Sequence, residues 1–287
     1  MNASTTTEIL RYTAFTTDPA GGNPAGVILD AAHLADDRML AVAAEVGYSE
    51  TAFITAADLP RRRFRLRFFS PLAEVAFCGH ATIATAVALA ERHGAGELVF
   101  DTAAGEIRVA TAVDGAGAVR ATLTSAPTHS RPVEDAELDA TLAALHWERA
   151  DLDPSLPPHV AFGGNHHLVL AAATRARLAD LAYDFDALGD VMRAHDWTTV
   201  QLVWQESDTG FHARDPFPPG GVVEDPATGA AAAAFGGYLR TIGRIRGATT
   251  LTLRQGEDMG RPSTLTVDVD PTDPRVRVAG HAVPIAP

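Results

Sequence analysis

Strict alternation is clearest at Arg63-Phe64-Arg65-Leu66-Arg67-Phe68, where apolar residues alternate with arginine. A period of two predicts a strand with its arginines on one face. Shorter apolar stretches predict further strands at residues 9–15, 27–29, 49–55, 97–100, 106–111 and 119–124, the last three separated by glycine-rich turns. Residues 18–26 are rich in turn formers. Residues 36–46 read as a helix, with acids in the first turn and Gly47 as the stop, and residues 80–93 as a second that ends at Gly94. After a candidate linker at residues 125–132 the pattern recurs. Helices are expected at 135–145, at 187–194 and from Gly229, and strands at 160–162, 167–171, 200–204, 212–213, 250–254 and 263–269. Both halves are thus strand-rich and carry one alanine-rich central helix. The expected class is α+β, with two similar lobes in which a curled, mainly antiparallel sheet or open barrel wraps a helix. The lobes are expected at residues 1–126 and 127–287, with a C-terminal strand near 278–287 available to the first.

Composition narrows the chemistry. The chain has 287 residues, 46% apolar, enough for a substantial core, and a net charge of −13. That charge argues against nucleic acid or an anionic membrane as a partner. The alternating arginines then read as a solvated strand face. All 23 basic residues are arginine. Without lysine there is no Schiff base, hence no covalent pyridoxal phosphate, and no standard P-loop. Cys78 is the single cysteine, which excludes an internal disulfide and a cysteine-rich zinc site. Residues 1–8 lack the basic and apolar regions of a signal peptide, and the small-residue run 229–239 is too short to span a bilayer. A cytoplasmic enzyme is the expectation.

Two stretches share one design. Phe77-Cys78-Gly79-His80-Ala81-Thr82 and Glu224-Asp225-Pro226-Ala227-Thr228-Gly229-Ala230 each set an ionisable residue beside glycine and run into a small-residue helix. Such helix starts offer backbone N–H groups and a positive dipole end to a carboxylate or phosphate. One per half suggests a two-lobed enzyme closing on a small anion. The plainer alternative makes Asp225 an N-cap, with Pro226 at the favoured first helical position, and His80 a helix-start residue. Glu50 lies in a short apolar extended stretch, where an acid withdrawn from water suits carbon-acid proton transfer. The alternative is an edge-strand glutamate facing water. Glu45, in the last turn of a helix, is expected to be solvated. His166 and His167 are adjacent on a strand and point to opposite faces, so they cannot chelate together. No metal ligand set is assigned.

Taken together, Gly22-Asn23-Pro24-Ala25-Gly26-Val27, Ser49-Glu50-Thr51-Ala52-Phe53, Phe77-Cys78-Gly79-His80-Ala81-Thr82 and Gly221-Val222-Val223-Glu224-Asp225-Pro226-Ala227-Thr228-Gly229 resemble the phenazine-biosynthesis PhzF-like family. Gln255-Gly256 and Met259-Gly260-Arg261-Pro262-Ser263 add a fifth match in family order. The resemblance implies a diaminopimelate-epimerase-like fold with the site between its lobes. It also implies an isomerase that uses no cofactor and acts as a homodimer on a small carboxylated substrate. The family's best-known member moves a proton within trans-2,3-dihydro-3-hydroxyanthranilate. Its catalytic residues map onto Glu50, His80 and Asp225, and its substrate contacts onto Gly79, Gly229 and Ala230. Asn23 and Thr228, in the matching strings, complete the expected binding set. Two positions depart from the family's pattern. Ala230 stands where the phenazine enzyme has serine, which removes a hydroxyl contact. Cys78 stands where that enzyme has alanine and related amino-acid epimerases have a catalytic thiol, while the partner thiol position holds Thr228. Three readings follow: a proton-shifting isomerase based on Glu50, an epimerase pairing Cys78 with Glu50 or Asp225, and a non-catalytic binding or interaction protein on the same fold.

Overall fold

A computed structural model describes residues 7–286. The reading of residues 1–8 as no signal peptide therefore lies, through residue 6, outside the described residues. The chain divides into two compact units. One takes the described residues up to Thr124 and from Ala279 onward, and the other is Ser125–Val278.

In the first unit the strands are β1 (Leu10–Ala14), β2 (Asn23–Ile28), β3 (Glu50–Asp58), β4 (Arg63–Phe69), the two-residue β5 (Glu74–Val75), β6 (Gly96–Thr102), β7 (Gly105–Val113) and β8 (Val119–Thr124). The pairing runs β1–β2 antiparallel, β2–β3 parallel, β3–β4 antiparallel, β4–β6 parallel, then β6–β7 and β7–β8 antiparallel. The last strand of the chain, Val276–Pro284, pairs with β8 and with β1, so the ring of eight closes and leaves no open edge. Helix α1 (Asp36–Val46) makes the β2–β3 crossover and lays Met39, Val42 and Ala43 on the outer face against Phe53 and Phe69. Helix α2 (Gly79–His93) makes the β4–β6 crossover, and every side chain from His80 to Ala90 on it is buried. A helix buried all round needs small residues to fit inside a narrow barrel, which accounts for its alanines and threonines.

Unit two repeats this order. Strands β9 (His129–Pro132), β10 (His159–Phe162), β11 (His166–Ala171), β12 (Trp197–Gln205), β13 (Gly210–Phe217), β14 (Val222–Asp225), β15 (Thr249–Gln255) and β16 (Ser263–Val269) precede that last strand, β17. From β10 onward the pairing is antiparallel, parallel, antiparallel, parallel, antiparallel through β11, β12, β13, β15 and β16. Outside pack α3 (Asp135–Leu145) and α5 (Phe185–Ala194), joined by Leu138, Leu142, Leu188 and Met192 over Val200 and Leu202; the short α4 (Arg175–Ala179) buries Leu178 in the same cluster. The central helix is α6 (Gly229–Thr241). Its Gly237 is required by space: a Cβ there would lie 2.3 Å from the Thr128 hydroxyl.

Several sequence expectations shift. The proposed linker is partly structure, because residues 129–132 form β9 and pair with β10. Pro132 closes β9, and a proline at a strand end removes no needed ladder donor. Helix α5 starts at Phe185, two residues early, where the Asp184 carboxylate accepts from the Ala187 N–H. Helix α2 opens at Gly79, one residue before His80. Pro226 is not the first helical residue, since α6 begins at Gly229. The arginine face of β4 is ion-paired: Arg63 meets Asp101 and Glu106, and Arg67 meets Glu74 and Asp36.

Candidate active site

In the first unit three reactive side chains converge. Gly47, at φ 73°, caps α1 and turns the chain into β3, whose first residue is Glu50. Parallel pairing sets Glu50 opposite Ala25 of β2, and the antiparallel β4 flanks β3 on its other side. The Glu50 side chain is only 17% exposed, so it is not an edge-strand acid facing water. Glu45 is exposed, as expected. An oxygen of Glu50 lies 3.4 Å from His80 Nε2. Cys78 Sγ lies 3.4 Å from His80 Nδ1 and 3.7 Å from Nε2. Both are buried at the α2 start, where Cys78 is the N-cap in extended conformation. The Cys78 carbonyl accepts from the Thr82 N–H and hydroxyl, which fixes that turn. No side chain caps α2, so its first N–H groups have no intrahelical partner. Asn23 is buried at the head of β2, opposite Ala14. Before it stands Gly22 at φ 69°, where a Cβ would sit 2.4 Å from the Ala14 carbonyl oxygen.

The second unit builds a separate polar cluster at the α6 start. Asp225 ends β14 and faces Asp215 in register. Its Oδ2 accepts from the Thr228 hydroxyl at 2.6 Å. Thr228, not Asp225, is the N-cap, and it makes no side-chain cap either. Gln255, fully buried at the end of β15, ties this loop down. Its amide donates to the Asp225 carbonyl at 2.7 Å and to the Thr228 hydroxyl at 3.0 Å, and its oxygen accepts from the Thr228 N–H at 3.1 Å. The half-buried Gly229 and Ala230 follow. The backbone under Asp225 is held by a buried pair: Arg214 Nε and Nη2 donate to the two Glu224 oxygens, at 3.0 and 2.5 Å.

Behind this loop lies a buried chain of polar groups. His167 Nδ1 is 2.8 Å from the Thr199 hydroxyl, which donates to Asp215 Oδ1 at 2.8 Å. The hydroxyl can donate and accept, so it links the imidazole to the carboxyl, with the direction of the His167 bond set by the ring's tautomer. Burial pushes the Asp215 carboxyl well above the usual carboxylate range, and the charges of Asp225 and Glu224 add to that rise against the Thr199 hydrogen bond. Burial, with His166 adding to it, pushes the His167 imidazole down to about 3. A neutral imidazole and a protonated carboxyl are the forms that avoid isolated charges there. His166 is half-buried and packs on His129 and Phe162, and the pairing register slips between the two histidines.

The donor atoms of Glu50, Cys78 and His80 all lie within 4.8 Å of one another. A groove of about 590 Å³ elsewhere in the first unit is lined by Arg63, Arg65, Arg67, Glu74 and Asp101, but Arg63 and Arg67 are paired with acids. Sequence reasoning missed Gln255 as a loop anchor, and missed Arg214, Asp215 and Thr199. Only the string around Gln255-Gly256 held a signal.

Eight-stranded closure around a helix, repeated pairing order and an acid–imidazole cluster at a helix start define a diaminopimelate-epimerase-like isomerase fold. The family model described as phenazine biosynthesis-like protein matches residues 12–287, and the chain belongs to that family. An uncharacterized isomerase of Mesorhizobium japonicum is 33% identical, covering 98% of this chain and 97% of its own. The trans-2,3-dihydro-3-hydroxyanthranilate isomerase of Pseudomonas chlororaphis is 30% identical, covering 94% of each. The crystal structure of a Bacillus anthracis phenazine biosynthesis protein of the PhzF family superposes with a TM-score of 0.85 at 26% identity, covering 97% of this chain and 96% of that one. The protein is an enzyme, an isomerase. Among the described residues, no helix is long and apolar enough to cross a membrane.

Proposed function

We propose that this isomerase shifts a proton between two carbons of a small carboxylated substrate, with Glu50 as the base and without a cofactor. The observation that carries this reading is a Glu50 side chain largely withdrawn from water, 3.4 Å from His80 at an uncapped helix start. The Glu50 carboxylate takes a proton from carbon and becomes a carboxylic acid. The electron pair left behind spreads over the adjacent double bond. Glu50 then returns the proton at the far carbon, and the double bond moves by one position. His80 orients Glu50 and the substrate. Asp225 and Thr228 position polar substituents, and the N–H groups at Gly79, Gly229 and Ala230 hold the carboxylate. Asn23 completes the binding set. Ala230 offers no hydroxyl, which favours a substrate other than that of the Pseudomonas chlororaphis relative.

A second reading, epimerisation with Cys78 as the other base, is favoured by the 3.4 Å contact of the thiol with His80. NMR on carboxylated metabolites in deuterated water separates the two. The proton-shift reading expects deuterium at carbon together with a displaced double bond. Deuterium at a single stereocentre, with connectivity intact, would replace it by the epimerase. No exchange across a broad panel would leave the base role of Glu50 without support.

A further inference from the structure

We propose that Asp215 and Asp225 hold one proton between them as a coupled carboxyl pair, with Asp215 a positioning residue that lets Asp225 keep its negative charge. The two are register partners on β13 and β14. Opposed residues of an antiparallel pair point to the same side of the sheet, with Cβ atoms about 4.5–5.5 Å apart. Asp215 is fully buried, whereas Asp225 is half-buried at the end of β14. One carboxyl of the pair is shut off from water and the other is not.

The repeated topology accounts for an acid at this place. In the first unit β3 follows the first parallel crossover and carries Glu50 opposite Ala25 of β2. In the second unit β12 follows the matching crossover and carries Thr199 opposite His167 of β11. Val200 and Leu202 turn outward to α3 and α5, so Thr199 turns inward. The second unit therefore sets a hydroxyl where the first has Glu50, and supplies its acid from the next strand, at Asp215.

The contacts of the two acids differ. Asp215 Oδ1 accepts from the Thr199 hydroxyl at 2.8 Å, and its Oδ2 is buried without a protein partner. Asp225 Oδ2 accepts from the Thr228 hydroxyl at 2.6 Å, a bond that suits an ionised acceptor. Two charged carboxylates at this spacing repel, so one of them keeps a proton. Burial selects Asp215 as that one. The groups around the pair do not replace the proton. Arg214, the preceding residue of β13, is taken up by Glu224. His167 meets Asp215 only through Thr199, and His166 packs on His129 and Phe162. β15 brings the uncharged Gln255 alongside β13. α6 packs Phe235 on Phe211 of β13, and its first titratable side chain is Tyr238. The rival acceptor for the Asp215 proton is Gln201 of β12, fully buried with neither amide atom partnered by protein. An acid bound to Gln201 would titrate independently of Asp225. That an ionised Asp225 orients substrate rests on the proposed reaction, whereas the shared proton does not.

The test is an NMR titration of the full chain with its aspartates labelled at the carboxyl carbon, the two signals being identified through Asp215→Asn and Asp225→Asn. In the wild type both signals should report the same two steps, as interacting sites do. In Asp215→Asn the upper step should vanish, and Asp225 should titrate once, at the lower pH. In Asp225→Asn, Asp215 should release its proton about one pH unit or more lower than in the wild type, because the like charge is gone. Thr199→Val should move the upper step higher, since the lost hydrogen bond favours the charged form. A purely structural Asp215 predicts none of these coupled shifts. Circular dichroism checks that each variant is folded, and if Asp225→Asn does not fold, the comparison of Asp215→Asn with the wild type decides alone. A single step at Asp225 in the wild type would overturn the pair. So would an Asp215 step that Asp225→Asn leaves unmoved, which would assign the proton to Gln201. The titrations use no substrate, so a failure of the isomerase reading leaves them intact.

Discussion

The proposed reaction concentrates its chemistry in one carboxyl, that of Glu50. Glu50→Gln keeps its shape and its place opposite Ala25 but cannot carry a proton. Turnover is expected to fall by about 100- to 10,000-fold with the fold unchanged. A loss of only a few-fold in kcat would assign the base elsewhere. Asp215 and His167 make a different prediction, about stability. Unfolded, Asp215 gives up its proton near pH 4, whereas buried it keeps it to much higher pH. The native state then binds the extra proton, so the Asp215 contribution is present below about pH 4 and declines as pH rises toward its raised value. His167 has the opposite sign: its folded value of about 3 lies below the unfolded value near 6.5, so its contribution is lost as pH falls through that interval. Between about pH 4 and 6.5 the two offset each other, and above that Asp215 acts alone. Urea denaturation of Asp215→Asn and wild type at pH 5 and pH 8 should show the variant gaining relative stability at pH 8. An equal difference at both values would mean that native Asp215 is ionised. The sequence exposed Glu50 and hid Asp215 for a physical reason. An acid in an apolar stretch stands out, whereas the burial of Asp215 depends on strands β11 to β14 coming together.

At the scale of elements, the segment from Asp225 to Ala230 is shaped by what grips it. Gln255 makes three hydrogen bonds to it, and the neighbouring Gly256 turns at φ 75°. A Cβ on Gly256 would lie 2.3 Å from the Arg261 carbonyl oxygen and 2.8 Å from that of Pro226. Gly260 has nearly the same φ, 76°, with open space around it. The pair separates conformational strain from collision. Gly260→Ala should cost about 1–2 kcal/mol, the left-handed penalty alone. Gly256→Ala should cost distinctly more and should also lower activity, because the loop under Thr228 must shift. Equal losses in thermal or urea denaturation would mean that the close contacts relax freely. Periodicity made the elements themselves largely readable: the 36–46 helix and the 263–269 strand have the expected bounds. It failed where pairing overrides local signals. β9 sits in a stretch punctuated by prolines, and Pro226 lies in a loop that Gln255 holds from thirty positions away in the chain.

Over the whole molecule the repeat is topological. Both units run antiparallel, parallel, antiparallel, parallel, antiparallel, from β1 in the first and from β10 in the second, and both thread a small-residue helix through the second parallel crossover. Strand and helix periods made this duplication visible in the sequence. Closure of the first ring was harder to read, because its eighth strand comes from the far end of the chain. The net charge of −13 is also a property of the whole. Under the proposed function, an anionic substrate would approach against that field and be held at short range by helix N–H groups. Long-range repulsion is screened over about 10 Å at 0.1 M salt, whereas contacts inside a partly buried site are screened far less. Raising ionic strength from low values should therefore increase kcat/KM for a carboxylated substrate and leave kcat nearly constant. A neutral amide analogue of that substrate should show no such rise. If kcat/KM instead falls with salt, positive charge local to the site dominates capture, and the helix starts are not what holds the carboxylate.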